Sequence, residues 1–250
     1  MAEPGPEAAR TLVFVPAWNE EDSVAQVVAQ VRERLPGADL LVVDDGSSDH
    51  TAERAQEAGA RVASLPFNQG LGAALQTGYL LARREGYEYC AHLDADGQHP
   101  PQEAARLLEA VWSGECDLAI GSRYRGDGAQ PGDSYRPGFA RGLGIRFFRF
   151  SLSLATRQRF TDTTSGLRAA NRRAIELFAD RYAPDFGELE SLQRAVRQGL
   201  RIKELQVTML PREQGSSFLT PLKSAFFIFK GLIVLLVGRF RPRDPEELKR

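Results

Sequence analysis

Two cysteines are all that this 250-residue chain holds, and Cys90 and Cys116 both sit beside apolar residues in strand-like runs. That excludes a disulfide framework and a cysteine-based zinc site, and it points to a reducing cytosol. The stretch Met1–Arg10 has neither a basic start nor an apolar core, so no secretory signal is visible and it reads as a loose leader. Nowhere does the chain offer the roughly 20 consecutive apolar residues that a membrane-spanning helix needs. Internal repeats and low-complexity tracts are missing too. With 42% hydrophobic and 26% charged residues, what remains is a folded chain with one large core.

Net charge is also nearly absent, at −1, but the balance is uneven. Residues 1–120 carry 8 Arg against 20 Asp and Glu, residues 121–160 carry 8 Arg against 2 Asp, and residues 201–250 carry 10 cations against 5 acids. An acidic first half suits a metal ion and a basic second half suits an anionic partner, although scattered solvated arginines give the same count.

Thr11–Pro16 reads as a buried strand, and Val24, Val27, Val28, Val31 and Leu35 then recur at helical spacing up to Pro36-Gly37. The alternation continues: Leu40–Val43 before a helix at 51–58, Arg61–Leu65 before one at 71–85, Cys90–Leu93 before Pro101–Trp112, and Asp117–Gly121 as a fifth strand. Repeated βα units with continuous apolar strands predict an α/β fold, a mainly parallel sheet flanked by helices. Its ligands bind beyond the carboxyl ends of the strands. Tyr124–Gly138, rich in Gly, Pro, Asp and Arg, reads as a long functional loop. Helices are expected at 143–155, 172–178 and 189–197, and a strand at 201–208.

The polar motifs fall at the predicted strand ends. Asp94-Ala95-Asp96 closes the fourth strand and runs into Gly97-Gln98-His99. Residues two apart on an extended chain turn the same way, and hard carboxylate oxygens suit Mg²⁺ or Mn²⁺ held together with substrate phosphates. A metal clamp for a diphosphate follows, with a solvated loop as the plainer alternative. Pro16-Ala17-Trp18-Asn19-Glu20-Glu21 closes the first strand and Asp44-Asp45-Gly46-Ser47-Ser48-Asp49 the second. Either alone is compatible with a capped helix start. Together they set acceptors and an aromatic ring side by side, where Asp44 and Asp45 are candidates to accept from a base or a ribose. Asn68–Ala74 opens the third helix with small residues, which permit close approach to a ligand or tight packing. A dinucleotide site is a poor match, because the glycines follow the third strand and do not complete G-x-G-x-x-G.

In this order the motifs VPAWNEE (15–21), VVDDGSSDHT (42–51), NQGLGAALQTGY (68–79), HLDADGQHPP (92–101), GSRY (121–124) and DTTSGLRAANRRA (162–174) closely resemble the inverting, metal-dependent glycosyltransferases of family 2, with a GT-A fold. DADGQH, DTTSG and the late REQGSS narrow the resemblance to the polyprenyl-phosphate sugar synthases, the dolichyl-phosphate mannose synthase type. The resemblance implies that Asp94, Asp96 and Gln98 bind the metal and that Pro16, Ala17, Trp18, Glu20, Asp44, Asp45, Gly72, Asp94 and Ala95 serve the nucleotide. Arg123 and Arg212 would hold phosphates and Ser216 or Ser217 would add hydroxyls. Either Arg136 or Arg141 matches the acceptor-loop arginine, with Arg141 preferred. Asp94, Asp96, Arg123, Arg141 and Arg212 are thus the expected catalytic set, and Mg²⁺ or Mn²⁺ the expected cofactor.

The expected partners are a GDP- or UDP-sugar, polyprenyl phosphate and a membrane surface, with no nucleic acid. A phosphate acceptor requires no general base, because its second ionisation lies near pH 6; a sugar hydroxyl would need one, with Glu188 or Asp162 as candidates. Ala225–Gly238 reads AFFIFKGLIVLLVG, followed by Arg239, Arg241 and Arg243. This fits an interfacial helix and a place at the cytoplasmic membrane face. Leu143–Leu154 is a second such candidate, and both would equally serve packing on the sheet, on a second copy or on a membrane protein. The expected division is a leader at 1–10, the transferase domain at 11–220, the apolar helix at 221–240 and a charged tail at 241–250. A transferase with a soluble or polysaccharide hydroxyl acceptor and a silent nucleotide-sugar-binding module are the competing readings.

Overall fold

The computed structural model describes residues 8–124, 149, 152–154, 158–183 and 187–210. The expected apolar helix at 221–240 and most of the long loop lie outside them. Of the expected leader, Ala8–Arg10 is ordered: it forms a short 3-10 turn that runs into the first strand. Arg10 pairs there with Glu88, and its carbonyl accepts from the Glu88 N–H at 3.0 Å.

Seven strands form one sheet: β1 (Thr11–Ala17), β2 (Asp39–Asp44), β3 (Arg61–Ser64), β4 (Tyr89–His92), β5 (Leu118–Ser122), β6 (Arg168–Asn171) and β7 (Ile202–Gln206). Their order is β3-β2-β1-β4-β6-β5-β7. β6 alone runs against the rest, antiparallel to both β4 and β5. The expectation of a mainly parallel sheet therefore holds, with one reversed strand that the sequence pattern does not reveal. Arg168-Ala-Ala-Asn offers none of the β-branched or aromatic residues that mark a strand.

The helices whose full bounds lie among the described residues are α1 (Val24–Arg34), α2 (Thr51–Glu57), α3 (Leu71–Arg84), α4 (Pro101–Trp112), α5 (Arg172–Asp180) and α6 (Gly187–Arg197). Along β1, Leu12 and Phe14 turn to one face and join α3, α5 and α6, while Val13 and Val15 turn to the other and join α1 and α4. Both sets are wholly buried. That is why β1 reads as an unbroken apolar run: a central parallel strand is covered on both sides. Fully burying each such side chain contributes about 2 kcal/mol. Cys90 and Cys116 are buried and unpaired, as expected from their apolar neighbours.

Candidate functional site

The carboxyl ends of β1, β2 and β4 lie next to one another, and the loops that leave them are lashed together. Asn19 takes a left-handed conformation, φ 52°, and its Oδ1 accepts from the Ser48 N–H at 2.9 Å. The Glu20 N–H donates to Thr51 Oγ1 at 2.8 Å, and the His50 N–H to Glu21 Oε2 at 3.1 Å. Gly46, at φ 65°, is pressed so closely on the next loop that an added Cβ would stand 2.5 Å from the Phe67 carbonyl carbon. No other residue fits there.

A cleft of about 400 Å³ opens at these ends, lined by Pro16, Ala17, Trp18, Glu20, Asp45, Asn68, Gly70, Leu71, Ala74, Asp94, Ala95 and Asp96. Most of the residues expected to serve the nucleotide thus meet in one cavity. Trp18 is 48% exposed and offers a ring face on which a base can stack. Asp45 lines the cleft, yet its Oδ1 accepts from the Gln69 N–H and its Oδ2 from the Gly70 N–H, both at 2.8 Å. Its first task is to hold the glycine-rich loop in place.

Two of the residues expected to serve the nucleotide lie off this lining. Asp44, next along β2, turns away from the cleft because side chains alternate along a strand; it is buried and accepts from the Ser47 N–H at 3.0 Å. Gly72 is buried within α3 and does not line the cleft. Helical phase puts Leu71 and Ala74, three apart, on that side instead. Asn68, Gly70, Leu71 and Ala74 belong to the lining, and the run of small residues opening α3 was their signal.

Asp94 and Asp96 both reach the cleft. The Asp94 side chain is 38% exposed, with Oδ2 3.4 Å from Nδ1 of the buried His99. That nitrogen also lies 3.2 Å from the Asp94 backbone N. Asp96 Oδ1 accepts from the Gln98 N–H at 3.0 Å. The Gln98 side chain is partly buried and is not part of the lining. Its carbonyl accepts from the Leu210 N–H at 2.9 Å, two residues before Arg212. From the other side, an added Cβ on Gly166 would lie 2.8 Å from Asp94 Oδ1 and 3.0 Å from Oδ2. The Asp94 carboxylate therefore rests directly on the turn before β6.

Arg123 is engaged elsewhere. Its guanidinium does not line the cleft; Nε donates to Asp162 Oδ2 at 2.6 Å and Nη2 to Oδ1 at 2.8 Å. Asp162 is wholly buried and also accepts from the Thr164 N–H at 3.2 Å. A bidentate fork of this kind is among the strongest polar contacts. Arg123 is thereby paired with a protein carboxylate, and Asp162 with a guanidinium. Behind the pair, Glu204 of β7 receives the Thr161 and Asp162 N–H groups at 2.9 Å each, and the Ser122 and Thr161 hydroxyls meet at 2.7 Å. A polar neck thus joins residues 122–123 to 161–162. The lone acid inside the strand Ile202-Lys-Glu-Leu-Gln was its signal in the sequence. Arg136, Arg141, Arg212, Ser216 and Ser217 lie outside the described residues.

A family model described as glycosyl transferase family 2 matches residues 12–178. Among curated proteins, the polyprenol monophosphomannose synthase of Mycolicibacterium smegmatis is 34% identical over 217 residues, 83% of this chain and 80% of that protein. The undecaprenyl-phosphate mannosyltransferase of Micrococcus luteus is 33% identical over 216 residues, 83% of this chain and 86% of that protein. Among solved structures, glucosyl-3-phosphoglycerate synthase from Mycobacterium tuberculosis, in complex with Mn²⁺, uridine diphosphate and phosphoglyceric acid, aligns with a TM-score of 0.70. It is 25% identical, covering 96% of this chain and 82% of that one.

Proposed function

The chain belongs to glycosyltransferase family 2, and from that premise we propose that it moves a hexosyl group, mannose or glucose, from a nucleoside diphosphate sugar to polyprenyl phosphate. The observation that carries this reading is the single cleft that holds the exposed Trp18 ring, the Asn68–Leu71 loop and the Asp94 and Asp96 carboxylates together. A nucleoside and its diphosphate need both kinds of surface in one place. The names of the two mannosyl-transferring relatives support a polyprenyl phosphate acceptor.

The family implies a divalent metal ion, and the site chemistry fits one. Asp94 and Asp96 present hard oxygens to the cleft, while the described residues include no group of three or more His, Cys, Asp or Glu able to hold an ion alone. Two carboxylates with the remaining positions left to phosphate oxygens is the usual Mg²⁺ arrangement. Asp94 and Asp96 would hold the ion, with Gln98 as a further oxygen. Bound there, Mg²⁺ or Mn²⁺ would neutralise the charge that develops on the leaving diphosphate.

The chain's own residues bind, orient and shield. Trp18 and the loop fixed by Asp45 hold the nucleoside, and Asp94 and Asp96 set the direction in which the diphosphate leaves. An acceptor phosphate oxygen attacks the anomeric carbon from the opposite side, the bond to the diphosphate oxygen breaks, and the configuration inverts. At neutral pH the phosphate monoester is largely dianionic, so no proton has to be moved. Arg136, Arg141, Arg212, Ser216 and Ser217 are the proposed partners of the acceptor phosphate. A lipid acceptor is met at a membrane, so the proposed place of work is the cytoplasmic membrane face, with residues 221–240 as the contact. Among the described residues no helix is long and apolar enough to cross a membrane.

A second reading keeps the donor and uses a hydroxyl acceptor, as the presence of phosphoglyceric acid in the tuberculosis relative suggests. It needs a base, and Glu188, whose carboxyl is pushed upward by burial against the opposing influence of Arg168, is the candidate. One assay separates the two: radiolabelled GDP-mannose and UDP-glucose offered with Mg²⁺ or Mn²⁺, with polyprenyl phosphate or with phosphoglycerate. Label extracted with the lipid supports the first reading and label on phosphoglycerate the second. No transfer from any donor overturns both.

A further inference from the structure

The chemistry above makes no use of Arg168. It stands on β6, in register with His92 of β4 and Ile120 of β5, and its side chain is wholly buried. Removing a guanidinium from water costs several kcal/mol unless it is well paired, and a buried cation is ordinarily met by a carboxylate. Here all three partners are neutral oxygens. Nε donates to the Ser165 carbonyl at 3.2 Å, Nη1 to Ser191 Oγ at 2.8 Å and Nη2 to the Glu188 carbonyl at 3.1 Å. Arg168 makes no ion pair among the described residues. Glu188 and Ser191 also lie in the first turns of α6, where the helix dipole disfavours a positive charge.

What the guanidinium secures is the turn before β6. Gly166, next to Ser165, forms the surface on which Asp94 rests, with its Cβ position only 2.8 Å from Asp94 Oδ1. A line of contacts therefore runs from α6 through the Arg168 fork and the Ser165 carbonyl to Gly166 and the Asp94 carboxylate. We infer that Arg168 is a positioning residue for Asp94: it ties the Ser165–Gly166 turn to α6 at a fixed height, so that the carboxylate meets a divalent ion in one geometry. The inference rests on the proposed role of Asp94 as a metal ligand.

The sign of the effect separates positioning from electrostatics. A buried positive charge near the site opposes a second cation, so if charge were the whole of its role, removing it would tighten metal binding. Loss of positioning loosens it. Mn²⁺ binding is measured by the electron paramagnetic resonance signal of the free ion, in the presence of UDP or GDP, for the wild type and for Arg168→Met, Arg168→Lys, Ser191→Ala and Asp94→Asn. Thermal unfolding in chelator is recorded for each.

Arg168→Met is expected to weaken Mn²⁺ binding about tenfold, the scale of a lost supporting residue behind a metal ligand. Arg168→Lys is expected not to restore it, because an ammonium keeps the charge but cannot span the three acceptors. Ser191→Ala should fall between, near threefold. Binding by either Arg168 variant that is equal to or tighter than wild type overturns the inference. Should Arg168→Met fail to fold, unchanged binding in Ser191→Ala overturns it instead. If the wild type binds no Mn²⁺ with either nucleotide, or Asp94→Asn binds as the wild type does, the metal reading of Asp94 fails and takes the inference with it; wild-type binding that only Asp94→Asn abolishes leaves the reading standing and the inference refuted.

Discussion

Replacing Gly166 by alanine separates the stability of the fold from the alignment of its metal ligand. The new Cβ would stand 2.8 Å from Asp94 Oδ1, 3.0 Å from Oδ2 and 3.2 Å from Cγ, whereas comfortable contacts of carbon begin at roughly 3.5 Å. The carboxylate has to retreat by about 0.5 Å or swing to another rotamer. Little resists that movement, because the group that gives way is the end of a side chain facing a cleft. Gly166 is not among the glycines with positive φ, so alanine suits its backbone, and the stiffer unfolded chain stabilises by about 0.4–1 kcal/mol. Local crowding costs about 1–3 kcal/mol, which leaves a net loss between about zero and about 2.6 kcal/mol. Function should suffer far more, since a misplacement of about 1 Å at a reacting centre can cost a hundredfold. The expected outcome is a Tm within about 5 °C of wild type, with turnover reduced about 10- to 100-fold and Mn²⁺ binding weakened in parallel. Turnover within twofold of wild type would refute the argument that the Ser165–Gly166 turn sets the Asp94 geometry, and so would a loss of stability large enough to account for the lost activity.

Asp162→Asn leaves the Arg123 fork half-matched in a buried setting and should destabilise by about 3 kcal/mol, measured as a shift of the denaturant midpoint with an unchanged slope. Asp96→Ala should abolish transfer while leaving the unfolding temperature within a few degrees; undiminished turnover would favour the silent binding module. The chain has two tryptophans, and Trp112 is tied by its Nε1 to Thr11 Oγ1 at 3.1 Å. A nucleoside diphosphate should therefore change the fluorescence of Trp18, and Trp18→Ala should lose that change together with about 1–3 kcal/mol of affinity, the scale of a base stacked on an aromatic ring. Asp117 is raised by burial but lowered further by hydrogen bonds from Arg201, ending at about 2. Because the folded value lies below the unfolded one, its contribution is complete above about pH 4 and fades as pH falls through about 2. Asp117→Asn should lose about 2 kcal/mol at pH 6, with the difference from wild type vanishing below about pH 2.

The parts of the fold that could be read from the chain were those where local pattern and tertiary burial agree. β1 and β2 are central strands covered on both faces, so their apolar runs are unbroken, and α4 declares its start with Pro101 at the first helical position. β6 escaped notice because Arg168-Ala-Ala-Asn owes its extended form to β4 and β5 on either side and not to its own residues. Pro16, Trp18, Asp45 and Asp94 were legible because a parallel sheet presents its strand ends together. The partner of Arg123 was not legible, for the opposite reason. A sequence displays a cation but not the carboxylate 39 residues away that claims it. Gly72 was missed by helical phase, since the glycine-rich run announces a close approach without saying which of its residues faces the cleft.

The neck at Ser122–Arg123 and Thr161–Asp162 has a consequence for how such an enzyme can change over time. Ser122 and Arg123, at the end of β5, are tied to Thr161 and Asp162, and β7 secures the tie through Glu204. For a segment closed in this way, doubling its length adds only about 0.6 kcal/mol of closure entropy. Changes of length between these two ties can be tried by descent with modification, provided that the buried Leu152 and Phe160 are kept, while the strand ends that carry Asp45 and Asp94 hold their places.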